Sequence, residues 1–226
     1  MKTDALIERL AEAPVPVEPL RRPWIRTAGW LAVSLVYVTL VVGVMTARDD
    51  LSSVASTARF WVEQSAALAT AVLAAFAAFC SCVPGADRRL LALPLVPLGV
   101  WLTSAGGDCL AKLIREGPSS IVFAEDWMCL PAIAIAGAGP ALLMVRMLRC
   151  GAPLSPALTM ALGGLAAAGL GSFGLRLFHS EEASLMVLVW QIGSVVLFAL
   201  LTGWLGRHVI SWKRLISHSH PAGRLS

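Results

Sequence analysis

Five cysteines are the most reactive side chains in this 226-residue chain, and their positions sort them into two groups. A thiolate can ligate metal, exchange disulfides or be oxidised, so each position matters. Cys80-Ser81-Cys82 and Cys150 form the first group, and Cys109 and Cys129 the second. Cys-Ser-Cys is too sparse for a metal site alone and reads as small apolar packing. His179 with Glu182 could bind a divalent cation weakly, but a solvated polar turn is the favoured reading. His218-Ser219-His220 is too short for a convincing metal site. No phosphate-binding Gly loop, nucleophile elbow or His-Glu-x-x-His motif is present. Thr103, Ser104, Gln191 and Ser194 read as hydrogen-bonding groups between helices rather than substrate ligands.

The elements that must position these groups are six charge-free apolar stretches: Ala28–Ala47, Gln64–Val83, Leu90–Gly107, Met128–Val145, Leu154–Leu175 and Leu185–Gly206. Each is 18 to 22 residues long, and a helix needs roughly 20 to cross the hydrocarbon core. Lipid admits only helices and closed barrels, and these runs are too long and too evenly apolar for barrel strands. The expected fold is an all-α, polytopic bundle of six transmembrane helices. Residues 1–27 form an amphipathic helix and Pro-rich spacer, 28–206 the transmembrane domain, and 207–226 a basic tail. None of the extramembrane pieces is long enough to bury its own core.

Charge orients the bundle. The side carrying both termini holds 13 Lys/Arg against 5 Asp/Glu, and the opposite side 5 against 9. The positive-inside rule puts both termini in the cytoplasm. No nucleic acid is needed to explain the overall charge of +4. No Asp, Glu, Lys, Arg or His falls within the six stretches. Pumps, coupled carriers and intramembrane proteases place such groups at mid-depth, so their absence counts against all three. Trp24, Trp30, Trp61, Trp127, Trp204 and Trp212 read as an interfacial aromatic belt.

Thr3 can cap a short helix whose Leu6, Ile7 and Leu10 share one stripe. Pro14 ends it, and the run to Pro19 reads as an extended polyproline-like strut. Arg21, Arg22 and Arg26 lead into the membrane. The helix either rests on the membrane surface or docks a partner; the acids Asp4, Glu8 and Glu12 tilt the reading toward a protein partner. Gly163, Ala167 and Gly171 recur at steps of four, a pattern for close helix packing, with homodimerisation the second reading. Pro94, Pro97, Pro131 and Pro140 predict kinks. On this topology Cys80, Cys82 and Cys150 face a reducing cytoplasm, whereas Cys109 and Cys129 lie at the outer edge. There they form either a disulfide or two unpaired thiols.

The order of several short motifs resembles one family, the NrsF-type membrane proteins, negative regulators of sigma F. The matching residues are the opening Met1–Leu10 with its Pro-Val spacer, Cys129-Leu130, and Pro153 to Pro156 before a Gly/Ala-rich span. Trp190 and Gly206-Arg207-His208 through Trp212 complete the set. The resemblance implies a six-helix anti-sigma factor of the bacterial inner membrane, with no catalysis and no cofactor. Such a protein holds an extracytoplasmic-function sigma factor and releases it under oxidative or metal stress. It implies docking through the N-terminal segment, with Leu6, Ile7, Leu10, Arg21 and Arg22 as candidates. It also implies sensing by an outer cysteine pair, one member of which Cys129 matches. The other follows a His after span five, where this chain has His179-Ser180: either Cys109 substitutes as the partner of Cys129, or the protein answers a different cue. Two other classes compete: a small-molecule or metal-ion transporter with a neutral path, and a membrane thiol oxidoreductase using Cys109 and Cys129. The first lacks mid-membrane charge, and the second lacks a Cys-x-x-Cys motif.

Overall fold

A computed structural model describes residues 20–45, 48, 50–117, 129–151 and 155–178. These are helical, with no strand among the described residues. In chain order they form α1 (Pro23–Met45), the short α2 (Leu51–Ala55), α3 (Ala58–Cys80), a 3-10 turn (Arg88–Ala92), α4 (Leu95–Glu116), α5 (Cys129–Arg149) and α6 (Pro156–Phe178). Three of them, α1, α3 and α6, are long and apolar enough to cross a membrane. The expected sixth span, Leu185–Gly206, and the 207–226 tail lie outside the described residues, as do residues 1–19.

The helix limits follow from local chemistry. Thr57 caps α3, its hydroxyl accepting the Phe60 amide at 3.4 Å. Asp87 caps the 3-10 turn, accepting the Arg89 amide at 2.9 Å. Pro94 precedes α4, Pro97 lies in its first turn and Pro131 in the first turn of α5, where a missing amide costs no helical bond. Those three prolines therefore start helices instead of kinking them. Only Pro140 sits inside a described helix.

The bundle is built on α3 and α6, which are 61% and 72% buried across their apolar windows, against 17% for α1. α3 carries buried alanines from Ala66 to Ala78, and of these Ala67 and Ala71 meet Gly169 of α6. A Cβ on Gly169 would lie 3.2 Å from the Ala67 carbonyl, and one on Gly171 3.2 Å from the Gly137 backbone of α5. The backbones touch, which is how helices gain packing energy where lipid removes the hydrophobic incentive. The stripe of Gly163, Ala167 and Gly171 faces α5: a Cβ on Gly163 would meet Met144 at 2.9 Å. Its small residues serve packing within the chain.

α1 lies antiparallel to α5 and is fastened by three side-chain donors to main-chain carbonyls. Arg26 Nη2 donates to Met147 at 2.5 Å, Trp30 Nε1 to Pro140 at 3.0 Å, and the Tyr37 hydroxyl to Ile135 at 2.7 Å. Trp30 is fully buried. It is a core residue, not the interfacial anchor its sequence position suggested. Trp24 and Trp61, at 59% and 61% exposed, keep the belt-like exposure expected of them. α4 packs on α3, with Trp101 buried against Ala66 and Ala67.

Candidate functional site

The two ends of the bundle carry nearly all its charge. One end gathers the starts of α1, α4 and α6 with the ends of α3 and α5. The Arg26–Met147 bond and a 2.7 Å hydrogen bond between Ser81 and Thr159 fix this arrangement. Gly151 also approaches Cys82, so closely that a Cβ there would lie 3.2 Å from the thiol sulfur. Arg21, Arg22, Arg88, Arg89, Arg146 and Arg149 are all exposed here, and none joins an ion pair among the described residues. Asp87 is the one acid described at this end, and its carboxylate is turned to the Arg89 amide. Arg26 differs from the six. It is 7% exposed, with its guanidinium 4.4 Å above the centre of the Phe79 ring. That cation–π contact and the Met147 bond place it inside the bundle, although its sequence position assigned it to the spacer.

The other end holds a charge cluster that reading of the sequence missed. α3 begins at Ala58 and α6 runs to Phe178, so Arg59, Glu63 and Arg176 are helical residues rather than loop residues. Glu63 is 1% exposed. Its carboxylate accepts from Arg59 Nε at 2.8 Å and from Arg176 Nη1, and the Ser104 hydroxyl lies 3.3 Å away. Arg59 also donates to the Ser104 carbonyl at 2.7 Å. One carboxylate thus ties α3, α4 and α6 together. Desolvating it is costly, and two guanidinium groups with a hydroxyl supply the compensation that a buried carboxylate needs. With both oxygens engaged, Glu63 is a structural tie, not an open relay group. The one available clue was Arg59 and Glu63 four residues apart at the head of an apolar run. Next to it, Gln64 donates to the Phe173 carbonyl at 3.2 Å. At the end of α6, where the Arg48 amide donates to the Leu177 carbonyl at 3.2 Å, Arg48 and Asp50 pair at 2.6 Å. The hydrogen bond from Arg48 holds the Asp50 carboxyl below the usual carboxylate range.

The sequence-derived candidates fall unevenly. Arg21 and Arg22 are exposed at the arginine-rich end. Leu6, Ile7, Leu10 and His179 lie outside the described residues. Cys80 and Cys82 are buried and Cys150 is exposed. Cys109 and Cys129 lie in α4 and α5, but their side chains are outside the described part. α4 continues to Glu116, so roughly 10 Å of helix separates Cys109 from the α4 terminus. Cys129 is the first residue of α5. A disulfide requires Cα atoms within about 7 Å. A Cys109–Cys129 bridge therefore requires the first turn of α5 to lie beside the body of α4, not beside its tip. Among the described residues no cluster of three or more His, Cys, Asp or Glu could hold a metal.

Comparison with known proteins adds to this picture. No solved structure matches the chain. The Anti-sigma-F factor NrsF of Caulobacter vibrioides (strain NA1000 / CB15N) is 27% identical over 221 residues, spanning 94% of this chain and 100% of the relative. A family model described as "Negative regulator of sigma F" matches residues 10–212, and the chain belongs to that family.

Proposed function

We propose that the chain is a multi-pass anti-sigma factor of a bacterial inner membrane. Six helices cross the bilayer, both termini are cytoplasmic, and an extracytoplasmic-function sigma factor is held at the arginine-rich end. Oxidative or metal stress releases it. The observation that carries this reading is the family match across residues 10–212, and the name of the Caulobacter relative supports it. The exposed arginines agree with the positive-inside rule. The protein acts by binding, and no catalytic step is required.

The docking element is the N-terminal segment with Leu6, Ile7 and Leu10, continued by Arg21 and Arg22. The sensing element is Cys129, with Cys109 and His179 as its candidate partners. Each tenfold loss of sigma-factor affinity requires about 1.4 kcal/mol of coupling from one face to the other. α4, which carries Cys109, packs on α3 and meets the charge cluster through Ser104. It is the natural carrier of an outer-face displacement.

Co-purification with the extracytoplasmic-function sigma factors of the source organism tests the reading. The full chain should retain the factor, and a chain lacking residues 1–19 should insert normally but lose it. The cut must stop before Pro23, because Arg26 and Thr27 are buried in the bundle. Equal capture by the truncated chain would remove the docking assignment, and no capture by either would remove the function. Cys129→Ser should blunt release by oxidant; an unaltered response would end the sensing claim.

A further inference from the structure

Six exposed arginines at one end of the bundle join no ion pair among the described residues, where Asp87 is the single acid and is turned to the Arg89 amide. They sit around one surface. The Arg26–Met147 bond brings the start of α1, with Arg21 and Arg22, to the last turn of α5, with Arg146 and Arg149. The contact between Gly151 and Cys82 brings in the connection that carries Arg88 and Arg89. All six are arginines, whose planar fork pairs bidentately with carboxylates.

The chain supplies a matching acidic surface a few residues away. Asp4, Glu8 and Glu12 recur at steps of four in the N-terminal segment. At about 100° per residue a helix over 3–13 gathers them within roughly 80° of arc. Leu6, Ile7 and Leu10 fall on the opposite side, within roughly 100°. The tether is short. From Glu12 to Leu20 an extended Pro-rich run covers at most about 25 Å, and Leu20 adjoins Arg21. That reach exceeds two interhelical spacings of about 10 Å. A segment so tethered meets the platform at an effective concentration in the millimolar range.

We infer that the acidic face of residues 3–13 seats on the arginine platform of its own chain. This turns Leu6, Ile7 and Leu10 away from the bundle as the apolar surface a sigma factor meets. The inference rests on the proposed function only for the identity of that partner. Its physical content is an intramolecular contact, and it explains why the docking helix is acidic on a face opposite its apolar stripe.

Cysteine trapping in the full-length protein tests it. Ala11→Cys borders the acidic face, and the native exposed Cys150 adjoins Arg149. A short bismaleimide should join the two in zwitterionic and in anionic-lipid nanodiscs, and Cys150→Ser should abolish the product. The triple variant D4N/E8Q/E12Q should lower the yield about fivefold, as should ~1 M salt, where the screening length is about 3 Å. R146Q/R149Q should act in the same direction. A yield indifferent to charge and salt, or absent throughout, overturns the seating. Loss of the product in anionic lipid alone also overturns it and assigns the platform to lipid headgroups. Sigma-factor capture is scored separately. Capture without the cross-link leaves the proposed function standing and the seating refuted, and a charge-dependent cross-link without capture does the reverse.

Discussion

The two ends of this bundle handle charge in opposite ways. At one end six arginines stand exposed and unpaired among the described residues. At the other, Arg59, Glu63 and Arg176 are drawn together around a single buried carboxylate. An exposed arginine contributes little to stability and remains available to a partner. A buried carboxylate held by two arginines is already committed, and removing any member leaves charge without compensation. The first end leaves its charge uncommitted, and the second holds three helices in register. Arg26 is the exception that sharpens the contrast. It is an arginine of the first end that holds α1 to α5 and α3.

Substitutions at the two ends should therefore differ in kind. Glu63→Gln should have the largest effect, about 3 kcal/mol, at the lower bound for breaking a buried ion pair because both arginine side chains keep about a third of their exposure. Thermal unfolding in detergent measures it, and a loss below 1 kcal/mol would mean the cluster is not the tie described. Gly174→Ala comes next, at about 1–3 kcal/mol, since the new Cβ would fall 2.6 Å from a Val38 methyl. Val38→Ala should restore most of that loss in the double variant, and additive effects would locate the strain elsewhere. Arg26→Gln should cost about 1–2 kcal/mol, from one charge-assisted hydrogen bond and one cation–π contact. A stability unchanged within error would return Arg26 to the exposed set. Asp50→Asn should have the smallest effect, because its ion pair with Arg48 is exposed to solvent on the carboxylate side. Its pairing lowers the folded-state pKa. The contribution is thus present above the ordinary carboxylate range and disappears as pH falls through the folded value. A pH–stability curve in which wild type and D50N converge only in acid checks the sign.

Much of this contrast was legible in residue order. The apolar runs over α1, α3 and α6 mark three helices able to cross a membrane, and the Gly163–Gly171 stripe marks close packing. Helix limits were less legible, because an apolar run stops at the first charge whereas the helix continues past it. Glu63 and Arg176 each close a run in sequence yet lie within helices, since their charges compensate one another across 113 residues of chain. No local pattern carries that information. Trp30 misled for a related reason. An indole near the start of an apolar run looks interfacial, but the Pro140 carbonyl that accepts its N–H is 110 residues away. The prolines were legible as breakers but not as starters, a distinction set by where each helix begins. For the candidate site, the exposed arginines lie in the segments whose excess of Lys and Arg is plain in the sequence. The cysteine pair depends on how α4 and α5 lie side by side, which spacing alone does not encode.

The three bonds from α1 to α5 also bear on how the chain is made. Each joins residues separated by 98 to 121 positions. Synthesis at 5–20 residues per second therefore leaves α1 waiting roughly ten seconds for its partner to emerge. Over that interval Arg26, Trp30 and Tyr37 have no α5 carbonyls to bind. The helix that must wait has a mean hydropathy of 2.1, against 1.5 for α3 and α6, and is the least buried of the three. Lipid could host it alone, so of the three apolar helices the earliest made is also the one best suited to stand unassembled.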